Sequence, residues 1–137
     1  MVHALVQIHG ILQPDGILIS VHDLPNPHIV EVHFSGIVME AGRLLDKVNY
    51  EDERLAFEAL ARVASDGLFL LEDEREFDFN IHAGNLGELQ QLLAEEWETA
   101  ILPDETVERV EDILRRVNQE CKVVLRVPTR MTKLRIA

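Results

Sequence analysis

Apolar and polar positions along the chain change period several times, and each change marks an element. Leu5, Ile8 and Leu12 recur at helical spacing ahead of Gln13-Pro14-Asp15-Gly16, so a short amphipathic helix opens the chain and a turn closes it. Ile17 to His22 then reads as a strand. Two prolines in Asp23-Leu-Pro-Asn-Pro27 withdraw ladder donors, so this segment is expected to be a hairpin loop. It leads into His28–Phe34, where Ile29, Glu31 and His33 alternate with Val30, Val32 and Phe34, the mark of one buried and one wet face. Ser35-Gly36 supplies a turn and Ile37–Ala41 the returning strand.

The next segment switches to a helical period. From about Asp52 to Ser65, Leu55, Ala56, Ala59, Leu60 and Val63 form one stripe, while Glu53, Arg54, Glu58 and Arg62 decorate the other side. Gly67 stands where a left-handed helix terminus is expected. Leu68–Leu71 and Phe77–Ile81 read as a strand pair joined by a charged turn, Glu72–Glu76. Two more helical stripes follow, Leu86, Leu89, Leu92, Leu93 and Trp97, then Val107, Val110, Leu114 and Val117. Asp104 is placed as an N-cap or first-turn acid. Cys121–Val127 reads as a last strand, ended by Pro128.

This order predicts an α+β fold: a small antiparallel sheet of about five strands with a helix on one face, plus a C-terminal helical pair and a final strand. Residues 1–103 form the expected α+β domain, and 104–137 add a helix and a basic strand packed on it. A chain of 137 residues, 47% hydrophobic, can bury a core of its own without a disulfide or metal staple. The single cysteine, Cys121, is expected to be a buried structural thiol. No apolar run reaches the length of a membrane span, and the N-terminus lacks signal-peptide features, so the expected location is the cytoplasm.

The net charge of −12 is unevenly placed. Arg115 to Ala137 holds seven basic residues against Glu120 alone, so this tail is +6 and the remainder −18. An acidic body repels phosphate backbones, which argues against nucleic acid as a partner. The basic tail can face an acidic surface, its own or another chain's, or act as a protective charged edge.

Candidate chemistry is sparse. The six histidines match no metal motif, although His22 and His28 flank one predicted loop, His33 lies on the polar face of the strand that follows, and these three are the weak metal candidates. The acidic runs lack the alternation of a calcium loop. No serine or cysteine sits in a nucleophile setting, so no catalytic residue and no cofactor is assigned. The two C-terminal stripes exceed what so small a domain needs internally, which leaves apolar surface for a partner or a homodimer.

Several segments resemble the PATAN domain family: Ala4–Leu12 with Gly16–Ile19, then Val32–Ala41, Ala56–Leu60, Asp66–Phe69 and Leu86–Trp97. The match spans about Ala4 to Pro103. The resemblance implies a non-enzymatic protein-interaction module, an adaptor in bacterial signalling tied to two-component control or motility. It supplies no catalytic residues. Partner-contact candidates therefore come from the pattern alone: His33, Glu40, Trp97, Arg126 and Arg130. The alternative expectation is a small-ligand or metal-sensing domain using the histidine-bearing hairpin.

Overall fold

The computed structural model describes every residue from Met1 to Ala137. In chain order it contains α1 (Val2–Ile11), β1 (Ile17–Asp23), β2 (His28–Phe34), β3 (Ile37–Asp46), α2 (Glu51–Ser65) and β4 (Phe69–Ala83). Then come α3 (Leu86–Glu96), β5 (Ala100–Ile101), α4 (Asp104–Arg116) and β6 (Lys122–Ile136). Four helices and six strands make the α+β class that the pattern predicts. The chain divides into two compact units: Met1–Pro25, Tyr50–Phe77 and Pro128–Ala137 in the first, Asn26–Asn49 and Asp78–Val127 in the second. No helix is long and apolar enough to cross a membrane.

In unit 1, β1 runs antiparallel to β6, from Ile17 opposite Arg135 to Asp23 opposite Thr129. On β4 the residues that meet β6 rise in number as their partners fall, Glu72 with Lys133 and Glu76 with Arg130, which is also an antiparallel run. One face of these strands is covered by helix: Leu5 of α1, Ala59, Leu60 and Val63 of α2, Phe69 of β4 and Leu134 of β6 are buried together. Three acids in the first turn of α2 lie at the positive end of its dipole. The helix stops at Gly67, which takes φ +77°, while the amides of Gly67 and Leu68 cap the carbonyls of Ala64 and Val63.

In unit 2, Ser35 and Gly36 both take positive φ, 47° and 76°, so β2 and β3 are joined by the two-residue turn whose twist matches paired strands. The outer side of β3 carries the short β5, and β2 pairs with Lys122–Arg126 of β6. Val30, Val32, Leu44, Leu89, Val110, Val123 and Leu125 form the centre of a core that α3 and α4 close. Asn85 caps α3 by accepting from the Glu88 amide at 2.9 Å, and the Glu88 carboxylate accepts from the Gly84 amide at 2.6 Å, a reciprocal cap.

Four expectations are corrected. The hairpin across Asp23–Pro27 does not form, because β1 and β2 each pair with a separate stretch of β6 and not with each other. The charged run Glu72–Glu76 is not a turn but the middle of one 15-residue strand. It is tolerated there because those side chains are exposed, and three of its neighbours on β6 are cations. Pro128 does not end the last strand. It falls between the last residue paired with β2, Arg126, and the first paired with β1, Thr129, and its carbonyl accepts the Leu24 amide at 2.8 Å. Cys121 is only half-buried, with Sγ 3.4 Å from the Gln119 carbonyl.

Candidate functional site

Polar side chains gather on one face of the sheet in unit 2. Along β2 the positions Val30 and Val32 enter the core, so Glu31 and His33 point the other way. Glu31 lies opposite Glu40 on β3 and opposite Val124 on β6. It is only 6% exposed. A carboxylate so enclosed needs partners, and it has two: Arg126 Nε donates to Oε2 at 3.2 Å, and His33 Nε2 lies 3.1 Å from Oε1. Arg126 also reaches Asp78 with Nη1 at 3.5 Å. The His33 ring meets that of His82 edge-on, centroids 6.3 Å apart. A row therefore runs Asp78–Arg126–Glu31–His33–His82, charged at one end and imidazole at the other.

Unit 1 offers two further features. Arg130 donates from Nη2 to Glu76 at 2.6 Å and lies over the Phe57 ring, 4.9 Å from its centroid. Beside it Phe57, Leu60, Ala61, Leu71 and Leu134 line an apolar groove of about 380 Å³. A second pattern lies along β1. Ile17, Ile19 and Val21 of β1 stand opposite Arg135, Lys133 and Met131 of β6. All three β1 residues are exposed, at 42%, 50% and 53%. Glu72 joins the two cations, accepting from Arg135 Nε and lying 2.9 Å from Lys133 Nζ. These contacts, Arg135 first and Lys133 second, hold the Glu72 carboxyl down at about 2, and Glu72 in turn raises the Arg135 guanidinium.

The residues singled out in the sequence are distributed as follows. His33, Glu40 and Arg126 share the sheet of unit 2, with Glu31 at the centre of the group. Trp97 is partly buried in the same unit, its ring 4.7 Å from that of His28, which is 2% exposed. Both belong to the packing around the core. Arg130 lies in unit 1, as does His22, which meets Phe57 edge-on at 6.1 Å. His22, His28 and His33 thus have separate surroundings, and no group of three or more His, Cys, Asp or Glu side chains is placed so that it could hold a metal ion. Sequence reading passed over Glu31, Glu72 and the exposed β1 row. A signal for the last was present: Ile17–Ile19 is apolar at odd and even positions alike, which a strand with one wet face does not need.

No family model, no curated protein and no solved structure matches this chain.

Proposed function

We propose that this chain is a non-enzymatic protein-interaction module, an adaptor that works in the bacterial cytoplasm by holding another polypeptide. The observation that carries the reading is the row Ile17, Ile19 and Val21, three large apolar side chains of β1 that are about half exposed and stand outside the core cluster of unit 1, with Val21 bordering the first turns of α2. Contiguous exposed apolar surface flanked by charge is the composition of an interaction patch, with an apolar centre and a polar rim. Here the rim is the Lys133–Glu72–Arg135 cluster. The resemblance to the PATAN domain family supports the same class and adds the setting, bacterial signalling connected to two-component control or motility.

The test compares proteins captured from lysate by the wild-type chain, by Ile19→Glu and by the control Glu58→Gln, which lies on α2 away from the row. The reading expects specific proteins that wild type and control retain and that Ile19→Glu loses. Equal capture by all three chains would overturn it.

A further inference from the structure

The two outer strands of the sheet in unit 1 are opposite in kind. β4 pairs only with β6, and from Glu72 to Glu76 it sets five charged residues in succession along that edge. Such an edge repels other strands. β1 also pairs only with β6, yet from Ile17 to Val21 it carries no charge and no proline. Its even positions turn to the covered side, where Leu18 joins the core and Ser20 is buried, and its odd positions are the exposed row. A strand that is apolar on both faces has the composition of an inner strand, with a neighbour along each edge and cover over each face. β1 has one neighbour and one covered face.

We infer that β1 is a docking edge: it takes an extended apolar segment of a partner polypeptide as its next strand, and the same partner lays apolar side chains over Ile17, Ile19 and Val21. The inference rests on the protein-binding reading above and names its surface and the chemistry of its partner. Main-chain hydrogen bonds along the edge would give such a complex its affinity, and the side-chain row its selectivity. A carboxylate on the cover would suit β6, because Lys133 and Arg135 share the carboxylate of Glu72 and Arg135 has beside it only the Asp15 carbonyl.

A second copy does not meet these requirements. Antiparallel self-pairing centred on Ile19 sets Ile17 against Val21, but it also brings Asp23 of each copy up to the turn that holds Asp15 of the other, so acids meet at both ends. It would leave the exposed rows of both copies uncovered on their joint face. The occupant is therefore a different polypeptide, with an uncharged strand and an apolar cover.

The test is amide exchange and methyl NMR on the whole chain, with a soluble synthetic peptide as probe, valine alternating with threonine between glutamate ends, about ten residues long. In the free protein the β1 amides bonded to β6 are expected to exchange slowly and the outward ones quickly. The peptide is expected to slow the outward amides by ~10-fold or more and to shift the methyl signals of Ile17, Ile19 and Val21. Ile19→Lys and Val21→Lys, each at an exposed position, should abolish both effects without altering the rest of the spectrum. Methyl shifts with no added protection would overturn strand docking and leave the protein-binding reading standing. Protection along Glu72–Glu76 instead, or no effect of the peptide, would also overturn it. Concentration-dependent protection of β1 without peptide would make a second copy the occupant and overturn the assignment. The protein-binding reading itself stands or falls separately, on the capture experiment with Ile19→Glu.

Discussion

Glu31 and Arg126, 95 residues apart in sequence, meet at 3.2 Å on the sheet of unit 2, the carboxylate nearly buried and the guanidinium one-third exposed. Removing the cation leaves a carboxylate in a site it cannot easily hydrate. Arg126→Ala is expected to destabilise the protein by about 1–3 kcal/mol, less than a fully enclosed pair would lose, since water screens the exposed side of Arg126. Glu31→Gln with Arg126→Met removes both charges and should be less harmful than Arg126→Ala alone. Chemical denaturation of Glu31→Gln, Arg126→Met and the variant that combines them gives the coupling directly. Additive losses would mean that the pair acts independently.

Gly42 faces Thr106 of α4 so closely that an added methyl would collide with Thr106 Oγ1 and lie 3.1 Å from its Cβ. The hydroxyl also donates to the Arg43 carbonyl at 3.3 Å, which fixes the helix against β3. Gly42 further takes φ +158°, at the border of the range that side chains avoid. Gly42→Ala should therefore cost about 1–3 kcal/mol, the size of an overpacked contact. Adding Thr106→Ala removes the colliding atoms and should recover part of the loss. Thermal unfolding of the two variants decides; if the second change deepens the loss, the strain lies elsewhere.

The parts legible in the sequence were those whose cause is local. Ser35-Gly36 announces a hairpin because both residues must take positive φ, and Gly67 ends α2 for the same steric reason. The parts that were not legible depend on distant partners. Nothing near Asp23–Pro27 reveals that β1 and β2 both pair with a strand a hundred residues on, so two prolines looked like a reversal. Glu72–Glu76 looked like a turn because its cations, Arg130, Lys133 and Arg135, arrive from the far end of the chain. On β6 Val123, Leu125 and Val127 enter the core cluster of unit 2 while Val124 between them is equally buried, and in unit 1 the core positions are the even Leu134 and Ile136, so no single alternation runs along the strand. The candidate site divides in the same way. His33 and Arg126 could be named from the polar face, whereas the central Glu31 could not be seen as buried until Arg126 was placed beside it.

The depressed Glu72 carboxyl makes a prediction about acid. Its folded value of about 2 lies below the ordinary 4.5, so folding favours its charged form. The associated stability is fully present above pH 4.5 and is lost as pH falls toward 2. NMR titration of the Glu72 side chain should give a midpoint near 2. Arg135→Gln together with Lys133→Gln should move that midpoint up toward 4.5 and remove this residue's share of the acid sensitivity. A midpoint that stays low in the double variant would place the cause outside these two cations.

Leu134 and Lys133 are neighbours on β6 that face opposite ways, and their partners on β1 are Leu18 and Ile19. Leu134 is 1% exposed within the core of unit 1. Truncating it to alanine removes buried methyl groups and leaves a cavity under α1 and α2, so Leu134→Ala should cost about 2–5 kcal/mol. Ile19 is half exposed on the uncovered face. Ile19→Thr keeps the β-branch that suits a strand and loses little burial, so its effect should stay within about 0.5 kcal/mol. The same substitution should reduce binding of a hydrophobic dye such as ANS by the folded protein, because it removes apolar surface that water now meets. Denaturation curves and dye fluorescence of the two variants separate the covered face from the open one. A loss at Ile19 as large as that at Leu134 would mean that the row is packed in the isolated chain, and that β1 has no uncovered face to offer a partner.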